Sequence, residues 1–573
     1  MTTDTFQTPG PTPGGPVQAA GFHSSLWQRI GFSGWTLATL VIAALVTLPV
    51  LAVISRVFVP TDGVWQHLVD TVLAEYLLNT VRLVFGVGVG TLVIGVGTAW
   101  LVTMCRFPGS RTLEWALLLP MAVPAYVMAY VYTDLLQFVG PVQTALREVF
   151  HWSRRDYWFP DIRTLEGAAL MMTLVLYPYV YLLSRAAFLE QSVCVLEVSR
   201  TLGRGPWRSF FTVALPLARP SIVALALVLM EVLADFGTVQ YFAVNTFVTG
   251  IYRTWFAMGQ PVAAAQLAAV LMMFVLVLVL MERWSRRQAR YHHTTTRYRR
   301  LPKHELKGWR AAAAMTACGL PLLLGFLLPA GLLVRMAVTA GDQAFGPVFL
   351  TLARNSFTLA ALAAVLAVSL ALVLAYGQRL RPTPLLKGAV RVAAMGYAIP
   401  GSVIAVGVLI PFAHLDNAVD AFMRQTFGVS TGLLLSGTIA AVLFAYLVRF
   451  LAVSFNTIEA SLGKIRPTMD FASRVLGHTA GRTLIRVHAP IMWGSLLTAG
   501  LLVFVDVMKE LPATMIVRPF NFDTLAVRVY TLASDERLTE AATGALAIVA
   551  VGIVPVILLS LSISRSRPGQ TDE

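Results

Sequence analysis

Residues 197–216 read EVSRTLGRGPWRSFFTVALP, and residues 471–490 read FASRVLGHTAGRTLIRVHAP. At a shift of 274, seven of the twenty positions are identical: Ser199/Ser473, Arg200/Arg474, Leu202/Leu476, Gly203/Gly477, Arg208/Arg482, Val213/Val487 and Pro216/Pro490. Other landmarks keep almost the same spacing. Asn79-Thr80 matches Asn355-Ser356, Pro124 matches Pro400, and Glu231-x-x-x-Asp235 matches Asp506-x-x-x-Glu510, at shifts of 275 or 276. The chain is therefore an internal duplication. Each twenty-residue stretch predicts a short polar helix, a glycine stop and a second helix. Gly203 and Gly477 suit the left-handed residue that ends a helix, and Pro216 and Pro490 suit the first turn of the next.

The surroundings of these two stretches are apolar. Of 573 residues, 57% are hydrophobic and 13% charged, against roughly 25% charged in an ordinary soluble protein. That leaves too little polar surface to cover a soluble globule, and the apolar content excludes extensive disorder. The cysteines, Cys105, Cys194 and Cys318, have no CxxC spacing and imply neither a disulfide framework nor a zinc site. A bilayer core about 30 Å thick needs roughly 20 apolar residues per helix. Twelve such runs are predicted, near 35–56, 77–105, 113–137, 165–184, 220–242 and 262–282, then near 311–337, 354–378, 392–412, 431–448, 494–514 and 542–563. The expected fold is all-α, a polytopic membrane protein.

With the N-terminus inside, the inner segments hold 30 of the 44 Lys and Arg residues and the outer loops nine. This asymmetry predicts that both termini are cytoplasmic. The net charge of +15 is then a membrane-sidedness signal, with no nucleic acid implied. Six spans per half make the halves parallel, related by an axis along the membrane normal. The expected organisation is a loose, disordered cytoplasmic tail at 1–30, a first repeat at 31–282, a basic cytoplasmic linker at 283–310, a second repeat at 311–565 and a cytoplasmic tail at 566–573. The Pro- and Gly-rich start is expected to be such a tail rather than a cleavable signal. The linker, with ten basic residues between Arg283 and Arg310, is expected to lie against anionic headgroups.

Glu197, five residues and Gly203, followed after nine residues by Val213-Ala-Leu-Pro216, resembles the EAA loop of the permeases of binding-protein-dependent ABC importers. The resemblance covers roughly residues 30–565 and implies the type I permease fold. It also implies that both loops insert into grooves on a separate ATPase subunit. Carried over by position, the coupling residues are Glu197, Ser199, Arg200 and Gly203 in the first half, and Asp470, Phe471, Ser473, Arg474 and Gly477 in the second. Phe471 stands where the motif has glutamate, with Asp470 one place early, so the two docking sites are expected to differ. Asp235-Phe-Gly, Lys509-Glu-Leu-Pro-Ala-Thr and Arg518-Pro-Phe-Asn-Phe-Asp-Thr-Leu-Ala are similar to the ferric-iron permeases, of which thiamine, polyamine and aminoethylphosphonate permeases are relatives. The resemblance thus implies an inner-membrane transport subunit working with two ATPase subunits and an extracytoplasmic binding protein. ATP and Mg would be held by the ATPase, and this chain would bind no cofactor.

An ionisable side chain at mid-membrane costs about 2.5–3.5 kcal/mol on insertion scales. Glu114, Asp134 and Glu282 fall near span ends, within reach of headgroups or water. Glu231/Asp235 and Asp506/Glu510 are deeper. Each is an i,i+4 pair, expected to project from one helix face, and the repeat axis would bring all four to one passage. Carboxylate oxygens suit hard cations, so these four are candidate pathway residues and transient ligands for Fe³⁺. The alternative is that Lys509 neutralises Asp506 or Glu510 and that Glu231 and Asp235 bond to neighbouring helices near the outer surface. Tyr126, Tyr130, Tyr177, Tyr179 and Tyr181 are expected to be packing or interfacial residues. Pro120, Pro124 and Pro400-Gly401 would break spans three and nine. Gly86-x-Gly88-x-Gly90 predicts close helix packing.

No GxxxxGK[ST] loop is present, so ATP hydrolysis by this chain alone is not expected. The rival class is a twelve-span secondary carrier, in which the signature loop would lie between spans two and three; here the helical motif follows span four.

Overall fold

The computed structural model describes residues 34–61, 63–190, 220–287, 303–339 and 346–565. In the first half the helices that matter are α1 (Gly34–Ser55), α2 (Leu73–Met104), α3 (Ser110–Ala116), α4 (Ala125–Leu136), α5 (Leu165–Glu190), α6 (Pro220–Ala234), α7 (Gly237–Tyr241), α8 (Phe247–Phe256) and α9 (Pro261–Arg287). In the second they are α10 (Trp309–Thr339), α11 (Pro347–Leu380), α12 (Pro384–Ala393), α13 (Gly401–Phe427), α14 (Ile439–Leu462), α15 (Pro467–Val475), α16 (Ala480–Ile491), α17 (Trp493–Met508), α18 (Pro512–Val517), α19 (Leu525–Ser534) and α20 (Leu538–Arg565). Several open on proline, whose missing N–H costs nothing in a first turn.

Nine described helices are long and apolar enough to cross a membrane, or eleven when two bent pairs each count as one span. The twelfth predicted span, 220–242, is the shorter α6 followed by α7. Span three is interrupted at Val123-Pro124, where the two parts meet at 92°. The equivalent interruption precedes α13 at Ile399-Pro400, so the expected proline breaks are present. Beyond it α13 runs on to Phe427, past the predicted end at 412 and through His414. A short parallel pairing joins Cys105–Arg106 to His304–Glu305, fastening the end of the linker to the α2–α3 connection.

The repeat is visible in single hydrogen bonds. Asn79 Nδ2 donates to the carbonyl of Asn245 (2.9 Å), just before α8, and Asn355 Nδ2 donates to that of Asp523 (3.2 Å), just before α19. Yet the halves are not two separate bundles. α1 packs against α11, α12 and α13, with Trp35 edge-on to Tyr376 at 5.1 Å. α10 packs in turn against first-half helices, and its Leu324 carbonyl, in a π-helical turn, accepts from Tyr132 Oη at 2.6 Å. Each repeat lends its first span to the other. Within the first half, α2 lies along α5. A Cβ at Gly90 would come 2.8 Å from the Thr173 side chain, so the glycine series does mark close packing.

Candidate translocation site

The predicted spans five and eleven stop at their acidic motifs. α6 ends at Ala234, and the Asp235 carboxylate caps α7 by accepting from Thr238 N (2.9 Å), Val239 N (3.2 Å) and Thr238 Oγ1 (3.0 Å). α17 ends at Met508, and Glu510 caps α18 by accepting from Ala513 N (3.0 Å), Thr514 N (3.1 Å) and Thr514 Oγ1 (2.6 Å). A carboxylate that satisfies the free N–H groups at a helix start also complements its dipole. The expectation that each i,i+4 pair projects from one helix face is therefore corrected. Glu231 and Asp506 lie on the helix, while Asp235 and Glu510 lie beyond its end.

The breaks still bring all four together. Glu231, Asp235, Asp506 and Glu510 line one cavity of about 90 Å³, with Tyr126, Tyr179 and Tyr397 among its other walls. Gly237 lines it where the first half meets the second. A Cβ there would fall 2.6 Å from Tyr126 Cβ and 2.8 Å from Leu511 Cδ2, so only glycine fits. Of the packing and interfacial roles expected for the tyrosines, packing is the one observed: Tyr126, Tyr130, Tyr177 and Tyr181 are buried.

Two cations answer the four carboxylates. Lys509 Nζ lies 3.0 Å from Asp506 Oδ1, as the alternative reading expected. Arg449 Nη1 lies 3.1 Å from Glu510 Oε1 and Nη2 lies 3.8 Å from Glu231 Oε2. Arg449 was missed in the sequence because span ten was expected to end at 448. The signal available was the apolar run that continues around it, FAYLVRFLAVSF at 444–455. Among the described residues no group of three or more His, Cys, Asp or Glu side chains is placed to hold a metal ion. In this conformation the four candidate ligands face cations or backbone donors instead of forming one ligand set. Glu114, expected to reach headgroups or water, is partly exposed and also pairs with Arg185.

The coupling residues Glu197, Ser199, Arg200 and Gly203 lie outside the described residues. In the second half the expected helix–turn–helix is present. α15 ends before Gly477, which has φ +81°, and α16 begins at Ala480. Pro490 sits near the end of α16, before the 82° bend into α17, rather than opening the next span. Asp470 turns inward. It accepts from Arg379 Nε (3.0 Å) and Nη2 (2.7 Å), and His488 Nε2 lies 3.0 Å from its other oxygen. Arg379 also donates to the Leu462 (2.6 Å) and Ile465 (2.9 Å) carbonyls. Ser473 is buried against Thr483 Oγ1 (2.8 Å). Phe471 is 62% exposed, and Arg474, Val475 and Leu476 share the open surface.

Residues 91–290 match the family of binding-protein-dependent transport system inner membrane components. The chain carries that family's permease domain. It is 28% identical over 498 residues to the Fe(3+)-transport system permease protein FbpB 2 of Haemophilus influenzae, covering 85% of this chain and 90% of that one. It is also 28% identical over 237 residues to the molybdenum transport system permease protein ModB of Escherichia coli, covering 40% of this chain but 96% of ModB. The sulfate transport system permease protein CysT of Escherichia coli is 27% identical over 231 residues, 38% of this chain and 76% of CysT. A stretch well short of the whole thus accounts for nearly all of ModB, as a fused, two-repeat permease requires. The chain is a multi-span inner-membrane transport subunit.

Proposed function

We propose that this permease forms the passage of an ATP-driven importer of ferric iron. A binding protein outside the membrane delivers the cargo, and two ATPase subunits seat on the loops around Glu197–Gly203 and Asp470–Gly477. Both termini lie in the cytoplasm, as the distribution of Lys and Arg supports. ATP binding draws the two loops together and turns the passage outward; hydrolysis returns it inward. ATP and Mg belong to the ATPase, and this chain holds no cofactor of its own.

The observation that carries the cargo assignment is the cavity between the halves. Four carboxylates against one arginine and one lysine leave a formal charge of −2. In surroundings of low dielectric that charge attracts a hard cation and repels an oxyanion such as the sulfate named for the CysT relative. The likeness to FbpB 2 along most of both chains points the same way.

Uptake of radiolabelled Fe³⁺ into vesicles supplied with the cognate ATPase and binding protein tests this, beside molybdate, sulfate, thiamine and aminoethylphosphonate. ATP-dependent accumulation of iron alone is the expected result. Accumulation of one of the others, with iron ignored, would move the chain to another cargo. Uptake that ceases when the proton gradient collapses, yet persists without ATP, would indicate a secondary carrier.

A further inference from the structure

The charges around the cavity break the repeat, and the way they break it is informative. Asp235 and Glu510 are equivalent and do the same thing, each capping the short helix after a break. The cations have no such counterparts. At the repeat spacing of 274, Val175 stands where α14 has Arg449, and Ala234 stands 275 residues before Lys509. The second half also makes room for its arginine. Gly401 corresponds at 276 to Ala125, and a Cβ at 401 would lie 2.5 Å from Arg449 Nη1 and 2.8 Å from Glu510 Oε1.

Arg449 has a 6% exposed side chain and reaches both halves. Its bond to Glu510 is internal to the second half. Glu510 is also held by the α18 backbone and Thr514, so this end is part of the fold. Its other contact crosses to Glu231 of the first half at 3.8 Å, an ion pair too long for a hydrogen bond. The Glu231 side chain is 36% exposed and lines the cavity. The arginine is thus tethered on one side and releasable on the other.

We infer that Arg449 is a resident counter-cation that latches the halves across the empty passage, and that Glu231 exchanges it for the cargo cation. The exchange rests on the cation reading of the cavity; the latch does not. Glu231 belongs to a cavity with more carboxylates than cations, and Arg449 neutralises it whenever the passage is empty. An arriving multivalent cation takes Glu231 and repels the guanidinium. As the cargo leaves, Arg449 returns to Glu231, which disfavours rebinding and draws the halves together.

Two measurements on the purified full chain test the two parts separately. In thermal unfolding, Glu231→Gln is expected to lower the midpoint by about 2 °C and Arg449→Gln, which also strips buried Glu510 of its cation, by more; the double variant is expected to fall no further than Arg449→Gln alone, because the pair is coupled. Additive losses would overturn the latch. In equilibrium binding of Fe³⁺, Arg449→Gln is expected to bind about tenfold more tightly than the parent, while Arg449→Lys, which keeps the charge, binds like the parent. Equal binding by all three would overturn the exchange. Coupled unfolding with no Fe³⁺ bound by any variant would leave the latch standing and remove ferric iron as the cargo.

Discussion

At the scale of single residues, the site is set by where a side chain fits and what it neutralises. Gly237 lies where two halves touch, so Gly237→Ala must displace Tyr126 or Leu511. A loss of about 1–3 kcal/mol is expected, seen as a lower unfolding midpoint in detergent. Gly97→Ala, whose Cβ would meet nothing within 4 Å, is expected to do no harm. Glu510→Gln removes the charge that neutralises a buried arginine and turns one of the two accepting oxygens of the cap into a donor. Breaking such a pair from one side costs about 3–5 kcal/mol, so this variant is expected to accumulate poorly beside the parent on a membrane immunoblot. The residue scale is also where the sequence was least legible. The acidic motifs were found because carboxylates in apolar runs need a reason. Arg449 was hidden because a basic residue next to a predicted span end looks like a loop residue. The tyrosines were legible as packing residues, but which helices they pack between is carried by no local pattern.

At the scale of elements, hydropathy located nearly every span and proline marked the breaks in spans three and nine, but the breaks in spans five and eleven were not legible. Spans five and eleven are apolar through their acidic motifs, and what stops them is a carboxylate folding back onto the next helix start. The α15 turn was legible, because Gly477 takes the positive φ expected of it. What fastens α15 was not. Arg379 ties Asp470 to the end of α14 through two carbonyls, joining residues far apart in the chain. At the repeat spacing, Met104 and Leu196 stand where Arg379 and Asp470 do, so the first half's sequence does not repeat the pair. Arg379→Ala is therefore expected to loosen only the second loop. Under our functional reading, ATP-driven uptake falls several-fold while the ATPase still co-purifies. Loss of co-purification along with uptake would mean that Arg379 shapes the docking surface itself.

At the scale of the whole molecule, the duplication was legible from twenty residues and their echo, but the interleaving was not. Periodicity says that α1 is a span and is silent on its partner, which turns out to be the other half. Residues 31–282 expressed alone would leave the α1 faces that meet α11, α12 and α13 uncovered, and would lack α10. They are expected to be cleared or digested quickly, and to be rescued when residues 303–573 are co-expressed; pulse-chase with limited proteolysis distinguishes these outcomes. Interleaving also means that a push on either loop moves helices of both repeats, with the charged cavity between them. The most direct test of a cation passage there is Fe³⁺ uptake by vesicles carrying ATPase and binding protein, with the parent permease compared with Glu231→Gln/Asp506→Asn at matched protein levels. The account predicts that the double variant loses at least about tenfold of its ATP-driven uptake, the factor that 1.4 kcal/mol confers; uptake equal to that of the parent would contradict it.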